Sequence, residues 1–121
     1  MPGLLLIDHG SRRAEANEQL SDMAARVRCL RPADPVVIAH LEVAEPTIAQ
    51  GFAALVAAGA REVVALPYFL SDGRHSREDI PRELAAAAAA HPGVGWRVGA
   101  ALGPHDLLAT LLLLRAGLEP A

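Results

Sequence analysis

Two imidazoles and a carboxylate, from His9, His75 and Glu42, each stand just beyond a short apolar run in this chain. Neutral imidazole nitrogens with one carboxylate suit a first-row divalent ion such as iron, cobalt, nickel or zinc. Calcium and magnesium prefer shells made wholly of oxygen. Glutamate at such a point can also take up protons, so the set could strip a hydrated ion of its waters, hold it and accept protons displaced by it. Arginines cluster around the same stretches, as Arg12, Arg13, Arg74 and Arg77, and all 11 basic residues are arginine. Guanidinium forks pair bidentately with carboxylates, although an arginine-only, alanine-rich chain also fits a GC-rich coding sequence.

The other reactive side chains read more plainly. His40 ends an apolar run and is expected to pack in the core or face the site. His91 precedes Pro92-Gly93 and is read as solvated, and His105 as a cap on the last helix. Gly10 and Ser11 after the first run could hold an anion at a helix start, but Ser11 reads more simply as a turn or capping residue. Neither GxGxxG nor GxxxxGK[ST] is present, so a dinucleotide or P-loop site has no support. A Ser11–His75–Asp79 hydrolase lacks the GxSxG turn. Cys29, the single cysteine, falls near an apolar stripe and is expected in the core; alone it makes no internal disulfide and holds no zinc finger or iron–sulfur cluster.

These residues must be positioned by alternating strands and helices. Leu4–Ile7, Val36–Ala39 and Val63–Leu66 are wholly apolar and short, as strands buried on both faces are, and Trp96–Ala101 is the expected fourth. Leu20, Met23, Val27 and Leu30 recur at helical spacing, and the helix stops before Pro32. Pro46 is placed to open the second helix and Gly59 to end it. Ser71–Ser76 reads as a loop, with helix resuming near Asp79-Ile80-Pro81 and running through the alanines at 85–90; Pro104–Arg115 is the last helix. Strand–helix pairs with short links predict an α/β fold: one open, parallel, four-stranded sheet with helices on both faces, in a single domain over residues 1–121. Ligands of such sheets bind beyond the carboxyl ends of the strands, where His9, Glu42 and His75 all fall.

With 121 residues, 52% of them hydrophobic and 21% charged, the chain can bury one core. A net charge of −3 gives no electrostatic reason to bind nucleic acid. No apolar stretch reaches membrane-spanning length, and Met1-Pro2-Gly3 lacks the basic start of a secretory signal, so a cytoplasmic location without membrane contact is expected. In the last helix Leu107, Leu108, Leu111, Leu112, Leu113 and Leu114 cover nearly the whole circumference, more than one domain can bury, and a homodimer is expected.

Ile7-Asp8-His9-Gly10-Ser11-Arg12-Arg13, Ala39-His40-Leu41-Glu42-Val43-Ala44-Glu45-Pro46, Gly73-Arg74-His75 with Asp79-Ile80-Pro81, and Leu102-Gly103-Pro104-His105 occur in this order. Together they resemble the short, single-domain sirohydrochlorin chelatases, which insert iron or cobalt into a tetrapyrrole without a nucleotide. The first two stretches are most similar in wording to the siroheme-making ferrochelatases of plants. The resemblance implies that His9 and His75 bind the metal with the help of Glu42, as catalytic residues. It also makes Ser11, Arg12, Arg13, Arg74 and Arg77 candidate contacts for the carboxylates of sirohydrochlorin. The divalent ion, Fe²⁺ or Co²⁺, would be a substrate, with no tightly bound cofactor; the plant enzymes' cysteine-bearing C-terminal extension has no counterpart before Ala121, so no iron–sulfur cluster is expected. The alternative reading is a non-catalytic carrier of metal or tetrapyrrole, and a structural or interaction module stands third.

Overall fold

The computed structural model describes residues 1–71 and 73–121, and only the main chain of Arg74 and His75. Four strands alternate with four helices: β1 (Pro2–Asp8), α1 (Ala14–Leu30), β2 (Val36–His40), α2 (Ile48–Ala57), β3 (Glu62–Pro67), α3 (Arg74–Ala89), β4 (Gly95–Val98) and α4 (Asp106–Arg115). The sheet is parallel throughout, in the order β2-β1-β3-β4. Strand order reverses at β1, so the crevice beside its carboxyl end is where loops diverge and leave room for a ligand.

β1 is apolar on both faces because both faces are covered. Leu4 and Leu6 pack with Leu20 and Ala24 of α1, whereas Leu5 and Ile7 join Ile48, Phe52 and Leu55 of α2 and Ile80 and Leu84 of α3. The period-two alternation of a strand sends successive side chains to opposite layers, and all four from Leu4 to Ile7 are buried here.

Boundaries differ from the expected ones where local chemistry outweighs the apolar pattern. Thr47, not Pro46, opens α2: its hydroxyl accepts the Gln50 N–H while the Gln50 side chain accepts the Thr47 N–H, a full capping box. Gly59 follows the Ala58 C-cap at φ +97°, and the N–H groups of Gly59 and Ala60 return to the carbonyls of Val56 and Leu55. α3 begins at Arg74, about a turn and a half before the expected start, with Gly73 as its N-cap. Pro81 lies inside the helix, where its lack of an N–H leaves the Arg77 carbonyl without its helical donor. β4 stops at Val98, and only Gly99 extends its pairing, through an N–H to the Ala65 carbonyl.

Cys29 is exposed, not in the core. Residues 20, 24 and 27 turn α1 toward the sheet, which points position 29 roughly 200° away from Val27. Leu30, the last residue of α1, is 82% exposed. His91 is half-buried instead of solvated, its ring stacked on Phe52 at 5.7 Å. His105 does cap α4, its Nδ1 accepting the Leu107 N–H at 3.0 Å.

Candidate functional site

β1 and β2 end level with each other, since Asp8 and His40 are register partners. Their side chains are hydrogen-bonded, His40 Nδ1 to Asp8 Oδ1 at 2.6 Å, with His40 buried. Beyond them the ladder runs on. The Leu41 N–H donates to the Asp8 carbonyl at 2.9 Å, and the Glu42 N–H to the His9 carbonyl at 3.0 Å. Two of the three expected metal ligands therefore sit on directly bonded main chains. Gly10 makes this possible: at φ +90° it passes so close beneath the Glu42 peptide that a Cβ would strike the Glu42 carbonyl oxygen.

His9 is exposed, and its ring lies against that of Phe69, centroids 4.5 Å apart and planes 28° from parallel. It lines a hollow of about 250 Å³ with Asp8, Ser11, Gln19 and Tyr68. Glu42 is exposed in a second hollow of about 420 Å³, shared with His40, Glu45, Thr47 and Glu83. The main chain of His75 falls in the first turn of α3, not in a loop, and α3 packs beside α2. The side chains of His75 and Arg74 lie outside the described residues. Among the described residues, no three His, Cys, Asp or Glu side chains converge closely enough to hold an ion.

The expected substrate contacts divide. Arg12 and Arg13 are exposed in the turn from β1 to α1, and Arg77 is exposed in the first turn of α3; both segments leave the sheet at its carboxyl edge. Ser11 is engaged in its own turn. Its hydroxyl accepts the Arg13 N–H at 3.1 Å, its N–H donates to Asn17 Oδ1 at 2.9 Å, and its carbonyl accepts from Asn17 Nδ2 at 2.8 Å.

Sequence reasoning missed Phe69 and Glu83. Phe69 gives no signal, because it meets His9 only through the pairing of β1 with β3. Glu83 could have been found, since it follows Asp79 by four residues and His75 by eight, a helical repeat. Burial pushes the Glu83 carboxyl above its ordinary value, Asp79 pushes it further, Arg82 pulls it back, and Glu42 adds an upward push. Its Oε2 is buried without a hydrogen-bond partner among the described residues.

A parallel sheet with a histidine and a glutamate paired at its carboxyl edge narrows the choice, and the family comparison decides it. The model of the CbiX family matches residues 3–117. The chain belongs to the CbiX family. Among CbiX relatives, the chloroplastic sirohydrochlorin ferrochelatase of Arabidopsis thaliana is 42% identical over 106 residues, covering 88% of this chain and 47% of that protein. A sirohydrochlorin cobaltochelatase of Methanococcoides burtonii is 32% identical over 122 residues, covering 94% and 93%. In structure, the sirohydrochlorin chelatase SirB from Bacillus subtilis subspecies spizizenii, crystallised in complex with cobalt, superposes with a TM-score of 0.83 at 29% identity, over 95% of this chain and 50% of that one. This CbiX chain thus spans about half the length of the plant relative and of SirB, and nearly all of the archaeal one. Its α/β fold is that of SirB.

Proposed function

We propose that this chain is a sirohydrochlorin chelatase, inserting Fe²⁺ for siroheme or Co²⁺ for cobalamin into the tetrapyrrole without a nucleotide. The observation that carries the reading is the joining of His9 and Glu42 by a main-chain hydrogen bond at the carboxyl edge, in a chain of the CbiX family. His9 and His75 take the places of water on the incoming ion and leave other coordination positions open for pyrrole nitrogens. As the metal–nitrogen bonds form, the macrocycle loses two N–H protons, and Glu42 is the acceptor poised to take them up and pass them to solvent. The balance is one divalent ion and one metal-free macrocycle giving one metallated macrocycle and two protons. Arg12, Arg13, Arg74 and Arg77 anchor the peripheral carboxylates, and Ser11 shapes the turn that presents Arg12 and Arg13. The metal is a substrate in this scheme, and neither a resident cofactor nor an iron–sulfur cluster is invoked.

Among the described residues, no helix is long and apolar enough to cross a membrane. The proposed setting is the cytoplasm, and the proposed working form is a homodimer joined through α4.

Mixing the purified protein anaerobically with sirohydrochlorin and either Co²⁺ or Fe²⁺, and following the visible spectrum, tests the proposal. Turnover well above the rate of free metal supports it. Stoichiometric uptake of metal or tetrapyrrole without acceleration makes the protein a carrier instead.

A further inference from the structure

We infer that Phe69 is a positioning residue for His9, held in place by the Leu102-Gly103 segment. This rests on His9 being a metal ligand, as proposed above. The first observation is the near-parallel stack of the two rings at 4.5 Å. An exposed histidine after a strand is otherwise free to turn about its side-chain torsions, and ordering it at the moment of metal capture costs affinity. A flat aromatic face restricts the imidazole plane while leaving the ring edge, with both nitrogens, open to an ion. The imidazole is thereby ordered before the metal arrives.

The second observation is independent of the stack and concerns how Phe69 is itself fixed. The Tyr68 N–H donates to the Ile7 carbonyl at 2.6 Å, carrying the β1–β3 ladder one residue beyond β3. On the other side, the Leu102 N–H donates to the Phe69 carbonyl at 3.0 Å and the Gly103 N–H to the Leu70 carbonyl at 2.7 Å. The chain returning from β4 therefore clips the segment that bears Phe69, whose ring also packs against the core beneath. Leu102-Gly103-Pro104-His105 thus has a place in the site without touching it: Leu102 and Gly103 clip Phe69 and Leu70, and His105 caps the helix that follows.

The test compares Phe69→Leu, which keeps an apolar side chain but loses the flat face, with Phe69→Tyr, which keeps the face. In the metal-free protein, the proton signals of the His9 ring, assigned with His9→Ala, are expected upfield from the Phe69 ring current in wild type and in Phe69→Tyr, and near free-imidazole positions in Phe69→Leu. Titration with Co²⁺ alone is expected to give a Kd roughly 3- to 10-fold weaker for Phe69→Leu and near wild type for Phe69→Tyr, with thermal unfolding of all three recorded alongside. Unshifted His9 protons in wild type, or an unchanged Co²⁺ affinity in Phe69→Leu, would overturn the inference, as would equal loss in the Leu and Tyr variants. No tetrapyrrole enters either measurement, so a protein that binds Co²⁺ in this pattern yet inserts no metal would refute the chelatase reading and leave Phe69 in its role.

Discussion

Gly10 carries no chemistry, yet the close approach of the Glu42 segment to His9 depends on it. Its φ of +90° is costly for other residues, and a methyl group there would press on the Glu42 carbonyl. Gly10→Ala is expected to destabilise the fold by about 1–3 kcal/mol and to depress metal insertion beyond that, because the Glu42 segment must shift away from His9; chemical denaturation and the insertion assay together measure both. His9→Ala and His75→Ala, by contrast, are expected to abolish insertion with circular dichroism and melting temperature nearly unchanged, since His9 is exposed after its strand and alanine suits the first turn of a helix, where the main chain of His75 lies. Near-normal turnover in either variant would strike that histidine from the ligand set. Glu42→Gln keeps size and loses basicity, so turnover is expected to fall more than tetrapyrrole affinity does, and equal falls would make the glutamate merely structural. These candidate ligands could be picked out in the sequence because imidazole and carboxylate announce their chemistry by type. The stack on Phe69 was not, because it depends on how far two ladders run past their strands.

At the scale of elements, α3 joins the site to the core. Glu83, on its inner stretch, holds a proton more tightly in the folded chain than in the unfolded one. Stability is therefore expected to fall as pH rises above the ordinary glutamate value of 4.5 and to be free of this penalty below it. Glu83→Gln removes the ionisable group, so its melting temperature is expected to exceed that of wild type at pH 7 and to converge with it near pH 4; a constant difference across that range would show that the carboxyl's charge is not the cause. The first three strands and the parallel sheet were legible, because continuous apolar runs bounded by turn residues have few other readings; β4, which carries Arg97, was less so, and it ends at Val98 instead of Ala101. Helix starts were less so. Pro81 looks like a helix opener, yet α3 had already formed from Arg74, and the Thr47–Gln50 capping box was overlooked beside the more conspicuous Pro46. Cys29 misled because it is close in sequence to the stripe of residues 20, 24 and 27 but points away from the sheet that this stripe faces.

For the molecule as a whole, the least settled surface is α4. It buries none of its residues, and Leu107 and Leu112 are about three-quarters exposed, at 75% and 73%. An apolar groove of about 490 Å³ runs between α4, Met23 of α1 and the Tyr68–Leu70 segment. Each leucine buried across an interface contributes about 1.5–3 kcal/mol, so a two-fold pairing through this helix is expected to be stable at micromolar concentration. Light scattering after size exclusion is expected to give about twice 12.7 kDa, and Leu111→Glu or Leu114→Glu to shift it toward the monomer. A wild-type monomer would end the dimer proposal. Cys29 offers a way to measure that pairing. It is the chain's single thiol, it stands in solvent, and α1 carries it to the sheet edge opposite His9. A nitroxide attached there would leave the proposed metal ligands untouched, and two copies related by a two-fold axis would yield one inter-label distance by pulsed paramagnetic resonance, so that the exposure of one side chain becomes a ruler for the assembly.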